Sequence, residues 1–119
     1  MSLYEFYLLA TQDDLNPDCV EDMVKKASWI YKDETFVRIS MAMFSFLSGD
    51  LIKALRFMKG LEEKPDAWIY FSYLYTRKKE FDKAEQYALK AAATGNESGI
   101  DQLKLIKSYR ENETYYHDN

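Results

Sequence analysis

The chain has 119 residues, with sixteen Lys and Arg against twenty Asp and Glu, which gives a formal net charge of −4. This length predicts one domain that can bury its own core without a disulfide or metal. The acidic balance argues against a dedicated nucleic-acid-binding protein, and no stretch approaches the ~20 apolar residues of a membrane span. With a single cysteine and no basic start typical of a signal peptide, we expect a cytoplasmic protein without membrane insertion.

Helical spacing of apolar residues predicts an all-helical chain with short turns. The first helix is predicted over residues 2–12. Asn16-Pro17 is the start signal of a second helix, which runs to about Tyr31. Asp33 is the expected N-cap of the third helix, residues 35–48.

Four more helices follow the third. Gly49-Asp50 combines a helix stop with the N-cap of the fourth helix. Pro65 opens the fifth helix, which extends to about Lys78. The sixth helix is predicted over about residues 82–94, and Gly95-Asn96 separates it from the seventh.

The third helix, residues 35–48, is unusual because apolar side chains lie all round it and Arg38 is its only charge. A helix of this kind must be covered on every side, and a short chain has few elements with which to do so. Leaving one large apolar side chain in water costs about 1.5–3 kcal/mol. We therefore expect a partner against its second face. The alternative is that these residues are all internal core, closed by the first and seventh helices.

The helices pair by internal similarity. Gly49–Leu55 aligns with Lys79–Glu85, so that Ala54 and Ala84 correspond at an offset of 30, while Val20 precedes Ala54 by 34. Periods near 34 with two helices per unit are typical of tetratricopeptide repeats, TPRs. The expected framework positions of that motif are Ala42, Ala54, Trp68, Ser72, Tyr75, Ala84 and Ala91.

The sequence thus predicts an all-α, TPR-like stack of about three helical hairpins, closed by a C-terminal capping helix. It forms a single domain over residues 1–111, and residues 112–119 are a flexible tail. In such a stack the first helix of each hairpin lines a concave groove. The side chains expected in the groove are Leu9, Phe36, Ile39, Met43, Phe46, Ile69 and Tyr73. An apolar groove indicates an amphipathic partner helix, laid with its apolar face down.

No catalytic constellation is evident. His117 is the only histidine and Cys19 the only cysteine, and because His117 lies in the expected flexible tail, we do not expect the two to form a catalytic pair. No metal-ligand spacing and no glycine-rich phosphate loop are present. We predict a protein that is not an enzyme and binds no cofactor or metal.

A set of residues between Cys19 and Lys107 carries a resemblance to a known family. They are Trp29, Glu34, Arg38-Ile39-Ser40, Gly49-Asp50, Ala54-Leu55, Pro65-Asp66, Trp68, Tyr75 and Arg77. In this order they resemble the small TPR-like chaperones that hold type III secretion needle subunits in the bacterial cytoplasm, the YscG/PscG type.

The resemblance implies a three-chain complex. The C-terminal amphipathic helix of the needle subunit would lie in the groove, which would prevent premature polymerisation. A second small helical chaperone would pack against the N-terminal repeat. Two alternatives remain: a chaperone of another secreted translocator or filament protein, and a general TPR adaptor that forms homo-oligomers.

Overall fold

A computed structural model of the chain describes the backbone of residues 2–11 and 19–117 and the side chains of residues 2–11 and 20–112. All regular secondary structure in these ranges is helical, which confirms the all-α fold class. The helices are α1 (Leu3–Thr11), α2 (Cys19–Tyr31), α3 (Glu34–Leu47), α4 (Leu51–Met58), α5 (Pro65–Arg77), α6 (Phe81–Ala93) and α7 (Glu97–His117). None of these helices is both long and apolar enough to cross a membrane.

The chain divides into two units. The N-terminal unit, Met1–Glu62, contains α1 to α4, and the C-terminal unit, Glu63–Asn119, contains α5 to α7. The helix α7 continues to His117, so its end does not coincide with the boundary predicted at residue 111. Asn16-Pro17, the predicted start of the second helix, lies outside the described residues.

Local capping signals set several helix ends as predicted. The Asp33 carboxylate accepts a hydrogen bond from the Phe36 amide at 3.1 Å, and the Asp50 carboxylate accepts one from the Lys53 amide at 3.0 Å. Both satisfy amides that have no partner inside the helix. Pro65 is in the first turn of α5, where its missing N–H costs nothing.

The two segments aligned by internal similarity form the same turn. The Gly49 amide donates to the carbonyl three residues earlier at 3.0 Å, and the Asp50 amide to the carbonyl five residues earlier at 2.9 Å. Lys79 and Glu80 make the same two bonds, both at 3.0 Å. Gly49 has φ 86° and Lys79 has φ 65°, the left-handed conformation that closes such helix ends. The turns match, while the TPR-like stacking of whole hairpins stays a prediction.

The core of the N-terminal unit is apolar and lies between α2, α3 and α4. Its buried side chains include Val20, Met23, Val24, Ala27, Val37, Met41, Ala42, Ala54, Phe57 and Met58. Helix α1 adds Leu3 and Tyr7 to the buried set. Two of the predicted framework residues, Ala42 and Ala54, are therefore in this core.

In the C-terminal unit, α5 and α6 form an antiparallel hairpin. The rings of Phe71 and Tyr87 stack with centroids 4.7 Å apart, and the Ser72 hydroxyl donates to the Ala84 carbonyl at 2.8 Å. Ser72 and Ala84 are fully buried, as is Ala91 apart from 1%. The other two framework residues of this unit, Trp68 and Tyr75, are half-buried.

Helix α7 packs against both helices of that hairpin. A Cβ atom added to Gly99 would lie 2.6 Å from the Ala92 nitrogen and 2.8 Å from the Ala88 carbonyl oxygen, so the backbones of α6 and α7 approach closely there. The buried Gln102 side chain donates from Nε2 to Oγ1 of Thr76 on α5 at 2.9 Å. Small residues on one side and a polar contact on the other thus fix the position of α7.

Candidate partner-binding surface

Helix α3 has one buried side and one partly exposed side. The buried side carries Val37, Arg38, Met41, Ala42 and Ser45. The other side carries Phe36, Ile39, Met43, Phe46 and Leu47, which we call the outer stripe of α3. Phe36 is 52% exposed and Leu47 is 80% exposed, while the other three are half-buried. The outer stripe therefore keeps apolar surface in water.

Arg38, the only charged residue in 35–48, points away from the outer stripe. Its Nη2 atom lies 2.6 Å from Oε2 of Glu21, its Nε lies 3.0 Å from Oε1 of Glu34, and its Nη1 donates to the Phe57 carbonyl at 3.2 Å. Burial acts to lower the pKa of Arg38, but the hydrogen bonds to Glu21 and Glu34, together with the negative charges of these two residues, outweigh it, and the pKa is raised. The same arginine lowers the pKa of Glu21, chiefly by hydrogen bonding. The outer stripe is consequently left without a charge.

Helix α1 borders this surface through Tyr4 and Leu8, which we call the α1 edge. The Tyr4 ring meets Phe44 of α3 edge to face, with centroids 5.0 Å apart. Phe44 lies on α3 between its buried side and the outer stripe. Leu8 follows Tyr4 by one helical turn and so lies on the same flank of α1. Tyr4 is 49% and Leu8 41% exposed.

Leu9, the residue of α1 expected in the groove, is 54% exposed. It follows the buried Tyr7 by two residues, about 200° around the helix, and therefore lies on the side of α1 remote from α3. Its neighbour Leu8 is the leucine on the flank that contains Tyr4. A role for Leu9 in partner binding stays a prediction.

The C-terminal unit contributes two of the expected groove residues. Ile69 is only 6% exposed, so its side chain offers little surface for a partner. Tyr73 is half-buried and packs edge to face against Tyr70, with ring centroids 5.9 Å apart. The two tyrosines lie on a different side of α5 from Phe71 and Ser72, which contact α6.

No family model, no curated protein and no solved structure matches this chain.

A second exposed apolar feature lies on α2. Trp29 is 79% and Ile30 is 68% exposed. Trp29 borders a surface cavity of about 460 Å³, which is lined by Glu21, Asp22, Val24, Lys25, Ser28, Trp29, Glu34 and Arg38. The charged groups of this cavity are of both signs, and Arg38 is already hydrogen-bonded to two of its carboxylates. The bond from Arg38 to Glu21 joins α3 to α2 beside this cavity.

Groups that could bind a metal are not assembled in the described part of the chain. Within residues 2–11 and 20–112, no group of three or more His, Cys, Asp or Glu side chains has the arrangement of a metal site. The side chains of Cys19 and His117 lie outside the described set, so neither is placed.

The predicted groove set does not include Tyr4, Leu8, Leu47 and Tyr70, whose side chains are exposed or half-buried in the structure. A signal for Leu47 was present, because it follows Met43 by four residues and Phe36 by eleven, the spacing of one helical face. For Tyr4 and Leu8 the helical period alone gave two possible flanks of α1. The contact of Tyr4 with Phe44 decides which flank borders α3.

Proposed function

We propose that this protein is a cytoplasmic chaperone that holds an amphipathic helix of a type III secretion needle subunit on an apolar surface and so prevents its premature polymerisation. The kind of cargo follows from the family resemblance in the sequence. The binding of an amphipathic helix rests on the outer stripe of α3. The same proposal includes a TPR-like stacking of the helices and a location in the bacterial cytoplasm. It also includes the expectation that the protein is not an enzyme and needs no cofactor or metal.

The single observation that supports this function most is the exposure of Phe36 and Leu47 at the two ends of one apolar stripe. They are about 16 Å apart along the helix axis, or three turns. Isolated exposed apolar residues are ordinary on protein surfaces, but a continuous stripe is typical of an interface. A partner that covers it must present an uncharged apolar face of similar length.

The spacing within the stripe indicates how the partner lies. Phe36, Ile39, Met43 and Phe46 follow each other at intervals of three, four and three residues, the a and d positions of two heptads. Helices that pack through such positions cross at about 20°. The partner helix would thus run nearly along α3, with its own apolar residues at heptad spacing.

The second small helical chaperone implied by the resemblance would cover the N-terminal unit elsewhere. Trp29 and Ile30 are the large exposed apolar side chains of α2, and tryptophan is enriched at the energetic centres of interfaces. We assign this surface to the co-chaperone. The Trp29→Ser substitution would then release the co-chaperone and leave the needle protein bound.

Two matched pairs of variants test the needle-binding surface. Leu47→Ser and Ile52→Ser each remove an exposed aliphatic side chain near the same turn, 80% and 68% exposed, but only Leu47 is on the outer stripe. Leu8→Ala and Leu9→Ala make the same change at adjacent positions on different flanks of α1. We expect Leu47→Ser to weaken binding of the needle protein about tenfold, which corresponds to about 1.4 kcal/mol. Leu8→Ala should weaken binding severalfold, and the two controls should bind as the unchanged protein does.

The measurement is isothermal titration of the purified chain with a peptide of the C-terminal helix of the needle protein, with circular dichroism to verify folding. Equal binding by Leu47→Ser and Ile52→Ser would contradict the proposed surface. Weaker peptide binding by Leu9→Ala but not by Leu8→Ala would instead support the groove predicted from sequence, which includes Leu9. If the chain binds no needle peptide and sediments as a homo-oligomer, the outer stripe is a self-association surface, as in the adaptor alternative.

A further inference from the structure

We propose that the docking of α1 on α3 is coupled to partner binding, so that the partner and α1 stabilise each other. This inference rests on the proposed function, because it concerns the same surface. It adds that α1 forms one side of the binding site, and that the helical order of α1 depends on whether the partner is bound.

Helix α1 is too short to be stable without its contacts. It has nine residues, whereas isolated helices shorter than about 12–15 residues are marginal in water. Its helical state therefore depends on the side chains that attach it to the rest of the N-terminal unit. Only Leu3 and Tyr7 of these nine residues are buried.

Tyr7 is the main attachment. Its hydroxyl and the Ser45 hydroxyl lie 3.1 Å apart in a buried hydrogen bond, and its ring centroid lies 5.5 Å from that of Phe44 and 6.5 Å from that of Phe57. Ser45 is fully buried and lies on the side of α3 remote from the outer stripe. The attachment of α1 and the partner-binding stripe thus use different sides of α3.

The attachment leaves the α1 edge in water. Tyr4 and Leu8 are nearly half exposed although α1 is docked, and the Tyr4 ring contacts Phe44 beside the outer stripe. A helix lying along the stripe can also cover the α1 edge, and these extra contacts exist only when α1 is docked. A ligand that binds one state better shifts the population to that state, and the coupling is reciprocal.

Amide hydrogen exchange of the full chain, with and without the same C-terminal needle peptide, tests the coupling. We expect the amides of residues 7–11 to exchange at least about tenfold more slowly when the peptide is bound, within the usual range of such coupling. In the Tyr4→Ser variant the peptide should still bind through α3. The peptide should then slow amide exchange at residues 7–11 less than in the unchanged protein, and by an amount closer to its effect on the α3 amides. Leu9→Ser serves as the matched control and should keep the full slowing.

Tyr7→Phe provides a second readout. It removes the hydrogen bond to Ser45, whose hydroxyl still donates to the Met41 carbonyl at 3.0 Å, so no buried donor is left unpaired. Without the peptide, we expect the α1 amides of Tyr7→Phe to exchange faster than those of the unchanged protein. With the peptide bound, most of their protection from exchange should be restored. If the peptide binds and the exchange of α1 is unchanged, the coupling is overturned and the proposed function stands. If the peptide does not bind at all, both are overturned.

Discussion

At the residue scale, the burial of Arg38 leaves the outer stripe of α3 without a charge. An arginine that is only 8% exposed would be costly without partners, and its guanidinium has three, from α2, α3 and α4. The sequence identified Arg38 as the only charge in residues 35–48, and the structure shows that its guanidinium is hydrogen-bonded inside the N-terminal unit.

The Glu21 carboxylate makes part of this stability depend on pH. Its pKa is lowered from the ordinary 4.5, mainly by the hydrogen bond from Arg38. A lowered folded-state pKa stabilises the protein above the unfolded-state pKa, and this contribution is lost as the pH falls through the folded-state value. Because the Glu21 side chain is 62% exposed, the contribution should not exceed about 1 kcal/mol.

Urea unfolding of the unchanged protein and of Glu21→Gln between pH 3 and pH 7 measures this difference. We expect a constant advantage of the unchanged protein above about pH 5, which shrinks below pH 4.5 as Glu21 protonates. Added salt should reduce it. An advantage that increases toward pH 3 would contradict the assigned ion pair.

At the scale of helices, the contact between α6 and α7 depends on a missing side chain. The nearest atoms to a Cβ at Gly99 are backbone atoms of Ala88 and Ala92, at 2.6 to 3.0 Å, and backbone atoms cannot rotate away as a flexible side chain can. From local sequence, a stretch that contains both Gly95 and Gly99 is predicted to be a turn. Only Gly95 is part of the turn, at φ 89°, and Gly99 lies in α7 at the crossing.

We expect Gly99→Ala to destabilise the protein by about 1–2 kcal/mol. Because the clash is with backbone atoms, the overpacking cost should lie in the upper part of its usual range, at about 2–3 kcal/mol, and the helix propensity of alanine offsets about 1 kcal/mol of it. The matched control is Ser108→Ala, at an exposed position of the same helix. Its unfolding free energy should change by less than about 0.5 kcal/mol. Equal stabilities of the two variants in urea would show that α6 and α7 do not approach as closely as described.

At the scale of the whole molecule, the chain consists of two units, each with its own core. In the C-terminal unit, Ala84, Ala88 and Ile106 are surrounded by Tyr75, Phe81 and Leu103. The buried polar contacts of Ser72, Thr76 and Gln102 also have their partners inside this unit. Their hydrogen bonds would thus be retained in residues 63–119 alone.

We expect residues 63–119, expressed alone, to be helical by circular dichroism and to unfold cooperatively on heating. Their stability should be low, because a domain of about 60 residues buries only about 60% of its unfolded surface. The fragment with Gly99→Ala should have a much lower midpoint of thermal unfolding than the fragment with Ser108→Ala. A fragment without helical signal would show that the C-terminal unit folds only with the rest of the chain.

Local sequence signals are sufficient to predict the helices and many of their ends. Asp33, Asp50, Gly49 and Pro65 act through hydrogen bonds and backbone conformations within a few residues, and such signals do not depend on the remainder of the fold. The all-helical class followed from the same local patterns. The similarity of the turns at Gly49 and Lys79 was also evident from the sequence.

Which apolar side chains remain in water depends on the packing of the helices and cannot be predicted from local sequence. Leu8 and Leu9 are identical and adjacent, Ile69 and Tyr73 are one turn apart, and no local pattern assigns one of each pair to a surface. Burial depends on helices that are distant in the sequence, such as α1 and α4 around α3, and these contacts are absent from any single stretch of chain. The outer stripe of α3 and the α1 edge are defined by what the other helices leave uncovered.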